Sequence, residues 1–140
     1  MLNSAMQMME MHQKDRSMTG VDMTVMQECI EACSACEQAC TMCAGSMAGE
    51  EMARCTAMCL NTADMGNAMM RSMMRPNGMH LDAMMAMLEA MVVMSTACAE
   101  ECMTHAEMSD DCRLCAEACR QCAMSCQSMI DAVASAMPDS

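Results

Sequence analysis

The chain has 140 residues, 14 of them cysteine and 28 methionine, and contains no Phe, Tyr or Trp. Seven Lys and Arg against 19 Asp and Glu give a formal net charge of −12, which disfavours a nucleic-acid groove or an anionic membrane as partner, and without aromatic rings there is no platform on which bases could stack. A hydrophobic content of 54% excludes a disordered acidic tail, while five Gly and two Pro are too few for a turn-rich β protein.

Residues 1–18 form a Met-rich lead segment, expected to be a short helix or disordered. Glu10, Lys14, Asp15 and Arg16 interrupt any apolar stretch of the signal-peptide kind, and no later run approaches membrane-spanning length, so a cytosolic location is expected. Gly20 and Asp22 then open the first long run, and Gly45, Ser46 and Gly49 interrupt it. Arg75-Pro76-Asn77-Gly78 is a strong stop, Ser109-Asp110-Asp111 opens the last run, and Pro138 ends it. Four helices follow, at about 21–46, 50–74, 79–106 and 110–136. Short turns join them, so residues 19–137 are expected to form an all-α, antiparallel up-down four-helix bundle.

The first of these helices carries Cys29, Cys33, Cys36, Cys40 and Cys43, and the fourth carries Cys112, Cys115, Cys119, Cys122 and Cys126, both in alternating steps of three and four. That is the spacing of a heptad seam. At ~1.5 Å per residue each ladder is about 21 Å long, so thiols should line most of the axis. Met26, Met129 and Val133 continue these seams in phase. On the second helix the stripe reads Met52, Cys55, Cys59, Thr62, Gly66, Met69, Met73. On the third it is expected to read His80, Met84, Met87, Met91, Met94, Cys98, Cys102, His105. Antiparallel threading gathers most thiols at one end of the bundle and leaves Met26, Met69, Met73, Met84, Met87 and Met129 around Cys29 and Cys126 at the other, giving a core lined by Cys and Met.

Ten per cent cysteine in a short chain suits a secreted disulfide scaffold, but such scaffolds are rich in loops, and thiols three or four apart on one helix are badly placed for an unstrained bridge. Reduced thiols are the better reading. Thiolate and thioether select Cu(I), while thiolate alone also suits Zn(II) or iron–sulfur clusters. A zinc tetrathiolate carries two net negative charges, and several of them in a narrow tube would repel, since Arg54, Arg71, Arg113 and Arg120 fall beside the seam and can reach solvent. Cu(I) bridged by thiolates approaches one metal per thiolate and hence neutrality. Met26, Met69, Met73, Met84, Met87, Met91 and Met129 are candidate thioether ligands, although a methionine stripe more often fills core.

The runs ECIEACSACEQACTMC (28–43), ARCTAMCLNTADM (53–65), STACAEECMTHAE (95–107) and DDCRLCAEACRQCAMSC (110–126) resemble the copper storage proteins, particularly their cytosolic branch, and sequences described as ferredoxin-like four-helix cysteine-rich proteins. The resemblance covers about residues 20–135. It implies a homotetramer of four-helix bundles, each holding many Cu(I) ions along its axis, with an entrance at the end carrying His and Met. Carried onto this chain, that mouth comprises His105, Met47, Met52 and Met108 beside Cys43 and Cys102. Thr62 and Met65 stand where relatives often carry further thiols, and the lack of aromatics is unusual for the family.

The leading expectation is therefore a Cu(I) storage or buffering module with no catalytic residues, supplied by a copper chaperone or a small-thiol donor. A thiol or iron–sulfur redox protein, a zinc reservoir and a purely structural bundle are the alternatives.

Overall fold

The computed structural model describes residues 4–12, 20–75 and 79–137. Asp22 starts the bundle: its carboxylate accepts from the Thr24 and Val25 amides at 2.8 and 3.4 Å, satisfying donors that the first helical turn leaves without a partner. Among the described residues five α-helices follow in chain order: α1 (Ser4–His12), α2 (Met23–Ser46), α3 (Ala53–Met73), α4 (Leu81–Met103) and α5 (Asp110–Ala136). A 3-10 turn, Glu50–Met52, leads into α3. Gly49, at φ +97°, makes the reversal from α2 possible, in a backbone region that side-chain-bearing residues rarely adopt. The His80 ring caps α4, with Nδ1 accepting from the Ala83 amide at 3.3 Å, and the Ser109 hydroxyl caps α5 by accepting from Cys112 at 3.1 Å.

Helices α2 to α5 pack in chain order around one axis, α2 against α3 and α5, and α4 against α5, with the α3–α4 seam the loosest of the four. This is the antiparallel up-down bundle expected from the breakers. Helix α1 lies across α2 and α3, where Met9 is buried beside the core. The N-terminal segment is thus helical over Ser4–His12, and the remainder of the lead segment, residues 1–3 and 13–18, lies outside the described residues.

Two expectations are corrected. The buried stripe of α4 is Met84, Leu88, Met91, Ser95, Cys98, Cys102, not the one running through Met87 and Met94, which are only half-buried. The reason is periodicity: continuing the alternation of four and three back from Cys102 and Cys98 reaches Ser95, Met91, Leu88 and Met84, whereas the stripe through Met94 needs two consecutive steps of four and drifts off the seam. The second concerns length. Helix α4 is long and apolar enough to cross a membrane, with a mean hydropathy of 1.5 over its best window, and much of its apolar surface faces outward. Its inward stripe is nonetheless spent on packing against α5.

Methionine supplies the bulk that aromatic rings would otherwise provide. Met26, Met69, Met73, Met91 and Met129 are all at most 1% exposed, each contributing roughly 1.5–3 kcal/mol by burial. Two hydroxyls sit among them, and each bonds back to its own helix, Thr62 to the Met58 carbonyl at 2.7 Å and Ser95 to the Met91 carbonyl at 2.6 Å.

At Gly66 α3 packs tightly against the backbone of α2. A Cβ there would stand 3.2 Å from the Cys33 carbonyl oxygen, a backbone atom that can move only with its helix. Gly66→Ala should therefore lower stability by about 1 kcal/mol net, overpacking outweighing a gain in helix propensity of about 1 kcal/mol. Thermal unfolding followed by helical circular dichroism checks this, and an unchanged or raised midpoint would mean that the α2–α3 contact yields.

Candidate metal centre

All fourteen cysteines are free thiols, none more than 1% exposed. Their burial follows from the heptad spacing, which turns every Cys of α2 and α5 toward the axis. Helices α3 and α4 add Cys55, Cys59, Cys98 and Cys102 at the end where α2 joins α3 and α4 joins α5.

The sulfurs form a chain of contacts. At the methionine end Cys126 lies 3.7 Å from Cys29 and 3.8 Å from Cys33, and Cys33 lies 3.8 Å from Cys122. Further along, Cys119 touches Cys36 at 3.7 Å and Cys40 at 3.6 Å, and Cys40 touches Cys115 at 3.6 Å. From Cys115 the path continues to Cys59 at 3.9 Å, to Cys102 at 3.7 Å and to Cys55 at 3.8 Å, with Cys98 3.9 Å from Cys59. Cys43 and Cys112 pair at 3.7 Å. These separations are nearly twice a disulfide bond of about 2.0 Å, so the thiols are in contact and unbonded.

The ladder also contains discrete groupings, which spacing alone does not reveal. Cys40, Cys98, Cys115 and Cys119 have their sulfurs within 4.8 Å of one another, as do Cys43, Cys59, Cys102 and Cys115, and a third group joins Cys29, Cys33 and Cys126. Cys115 belongs to both groups of four, so two separate tetrathiolate ions cannot fill them together. Ions filling both groups would have to share the Cys115 sulfur, and soft thiolate donors suit Cu(I). Among the described residues no cationic side chain is buried among these groups. Arg54, for instance, is 78% exposed and turned to Glu101. A doubly negative zinc tetrathiolate on the axis would go uncompensated.

At the mouth, the sequence-derived set divides. His105 is 15% exposed and lies 3.3 Å from Glu101, Met47 and Met52 are half-buried against the core, and Met108 is 81% exposed. Glu101 and Cys55 converge on His105, their donor atoms all within 4.8 Å. Cys55 carries a clear seam signal, but Glu101 does not. Only its position four residues before His105 on α4 hints at the pairing. At the other end Met26, Met69, Met73, Met84, Met91 and Met129 are buried and Met87 is displaced outward.

Burial opposes ionisation of these thiols in the empty bundle. Desolvation, reinforced by the neighbouring Cys59, pushes Cys55 from the ordinary 9.0 up to about 12, and desolvation likewise raises Cys43. An acid whose folded pKa is raised stabilises the fold below its unfolded pKa and loses that contribution as pH climbs toward the folded value. The metal-free protein should therefore become less stable between pH 9 and pH 12. Thermal midpoints across that interval check it. Protein whose thiolates already hold metal should lose less, because its sulfurs have no proton left to release.

Comparison with known proteins agrees with this geometry. A family model described as copper storage protein matches residues 22–131. The structure of the Streptomyces lividans copper storage protein Ccsp loaded with 10 copper equivalents superposes with a TM-score of 0.85 at 32% identity, covering 92% of this chain and 99% of that one. A histidine-to-alanine variant of Ccsp gives a TM-score of 0.78 at 36% identity over 81% of this chain and 98% of that one. The cytosolic copper storage protein of S. lividans with five coppers gives 0.74 at 35% identity over 77% and 93%. No curated protein sequence matches. Ladder spacing, bundle topology and family match converge, and the chain belongs to the copper storage protein family.

Proposed function

We infer that this chain stores copper as Cu(I), several ions at a time, on the thiolates lining the bundle axis. The carrying observation is the continuity of the sulfur path from Cys36 through Cys119, Cys40, Cys115 and Cys59 to Cys102 and Cys55, with no step longer than 3.9 Å. Each arriving Cu(I) displaces a thiol proton, so charge stays near balance while metal accumulates. Because the ions tie α2 and α5 to α3 and α4, loading also stabilises the fold. The fourteen cysteines are the proposed ligands. The buried methionines, being neutral donors, act first as core and only secondarily as ligands.

Copper reaches this store at the thiol-rich end, where His105 with Met47 and Met52 offers weaker ligands that exchange quickly, and Met108 extends that set into the turn. A cytosolic copper chaperone or a small thiol is the proposed donor, and reduced thiols together with the cytosolic relative support a cytosolic setting. Self-association into a tetramer is proposed through the apolar groove of α3 and α4 lined by Met58, Met65, Ala90, Val93 and Met94, which carries Glu89 as its one charged residue.

Titrating reduced apo protein with Cu(I) against a competing chelator, under anaerobic conditions, should give a stoichiometry approaching the cysteine count. A value near one or two would overturn storage. Replacing Met84, Met87 and Met91 together by Leu should leave that stoichiometry nearly unchanged, since the swap roughly conserves volume and removes no thiolate. Loss of several ions in that variant would make the thioethers primary ligands.

A further inference from the structure

The mouth holds a donor set unlike the rest of the interior. Cys55 Sγ, a Glu101 carboxylate oxygen and a His105 ring nitrogen lie within 4.8 Å of one another. Among the described residues this is the one such cluster that combines sulfur, oxygen and nitrogen. Its members are held in place. Arg54 Nε donates to Glu101 Oε1 at 2.8 Å, which leaves Oε2 facing His105 Nε2 at 3.3 Å. Cys55 is fully buried, while the Glu101 and His105 side chains are 17% and 15% exposed, so the cluster opens to water on one side only.

A carboxylate is a poor donor for Cu(I), and thiolate, imidazole and carboxylate together match the ligand preferences of Zn(II), with three protein donors leaving a fourth tetrahedral position for water. Charge favours the same ion. Zn(II) with one thiolate, one carboxylate and a neutral imidazole is electrically balanced, whereas the same ion on Cys40, Cys98, Cys115 and Cys119 would carry two uncompensated negative charges on the axis. Position gives the site a consequence, because Cys55 touches Cys102 at 3.8 Å and so forms the outer end of the sulfur path.

We propose that Cys55, Glu101 and His105 form a Zn(II) site at the mouth of the bundle, and that zinc bound there retards the passage of Cu(I) by holding the outermost thiolate of the path. Binding is a simple exchange in which Zn(II) enters and the Cys55 proton leaves, with no change of oxidation state. The second half of the proposal rests on the interior being a Cu(I) store; the first does not.

Reduced, anaerobic apo protein is given one equivalent of Co(II), whose spectrum reports the number of thiolate ligands, and Zn(II) affinity is read by competition with a chromophoric chelator. The expected result is a one-thiolate spectrum, an affinity lowered roughly tenfold or more by Glu101→Gln or His105→Ala, and no such loss in a Cys98→Ser, Cys119→Ser double variant. A tetrathiolate spectrum abolished by that double variant would place the ion inside and overturn the site. Transfer of Cu(I) from a chelator is then timed with and without one equivalent of Zn(II). Several-fold slowing in the wild-type chain that disappears in Glu101→Gln is expected, and equal rates would overturn the retardation while leaving the site. Failure of the chain to take up multiple Cu(I) would overturn storage alone, since the cobalt and zinc measurements require no copper.

Discussion

Everything in this molecule depends on a mismatch of periods. Cysteines repeating at three and four residues average 3.5 per turn against the ~3.6 of an α-helix, so a ladder stays on one face long enough to run the length of a bundle. Two such ladders, on α2 and α5, are adjacent in the square, and their thiols meet at 3.6–3.8 Å between helices. Once that contact is made the rest is constrained. The axis must be dry, the remaining faces of α3 and α4 must fill what the narrow thiols leave, and no bulky ring can be inserted without separating the ladders. Methionine answers the last requirement because it is long and unbranched and adapts to an irregular gap.

The sulfur-filled core has to serve two states. Empty, the thiols act as small apolar groups, with burial opposing ionisation at Cys43 and Cys55, and the bundle is held together by its methionines and by Leu88 and Val133. In the loaded state proposed above, the same thiols are deprotonated and neutralised by the metal they bind. In neither state is a charge left bare on the axis. This is why the cationic side chains can be spent on the surface, as in the pairs of Arg113 with Asp110 and Glu117, and why the net charge of −12 need not be read as a property of the core.

Much of this was legible in the sequence. The helix ends were marked by Asp22, Ser109 and the glycines, and the burial of every cysteine followed from spacing. Spacing alone allows an α4 stripe through Met87 and Met94 because methionine is so abundant that wrong registers are also apolar. Only extending the strict alternation from Cys98 and Cys102 selects Leu88 and Ser95. Spacing along one helix could not reveal which thiols cluster across helices, since that depends on the relative heights of the four, and so the sharing of Cys115 between two groups appeared only in three dimensions. His80, which spacing places on the inward stripe of the third helix, is instead exposed, with its ring capping α4. Glu101 was missed for a related reason: a glutamate on a charged helix end has no distinguishing pattern until Arg54 from α3 is seen to fix it.

The two ends of the bundle are chemically unequal in the thiols they offer. Helices α3 and α4 carry thiols only near the mouth, and past Thr62 and Ser95 their inward positions become Gly66, Met69 and Met73 on one and Met91, Leu88 and Met84 on the other. An ion near the mouth can therefore draw thiolates from all four helices, whereas one beside Cys29 and Cys126 finds thiolates on α2 and α5 alone. Ions in the first region cross-link the whole bundle, and ions in the second tie together only the one pair of helices that the ladders already join. Binding free energy that also closes the fold is greater than binding that does not. On the proposed function, the thiols at the end shared by all four helices should therefore hold Cu(I) more firmly than those beside Cys29 and Cys126, because their ions also close the fold.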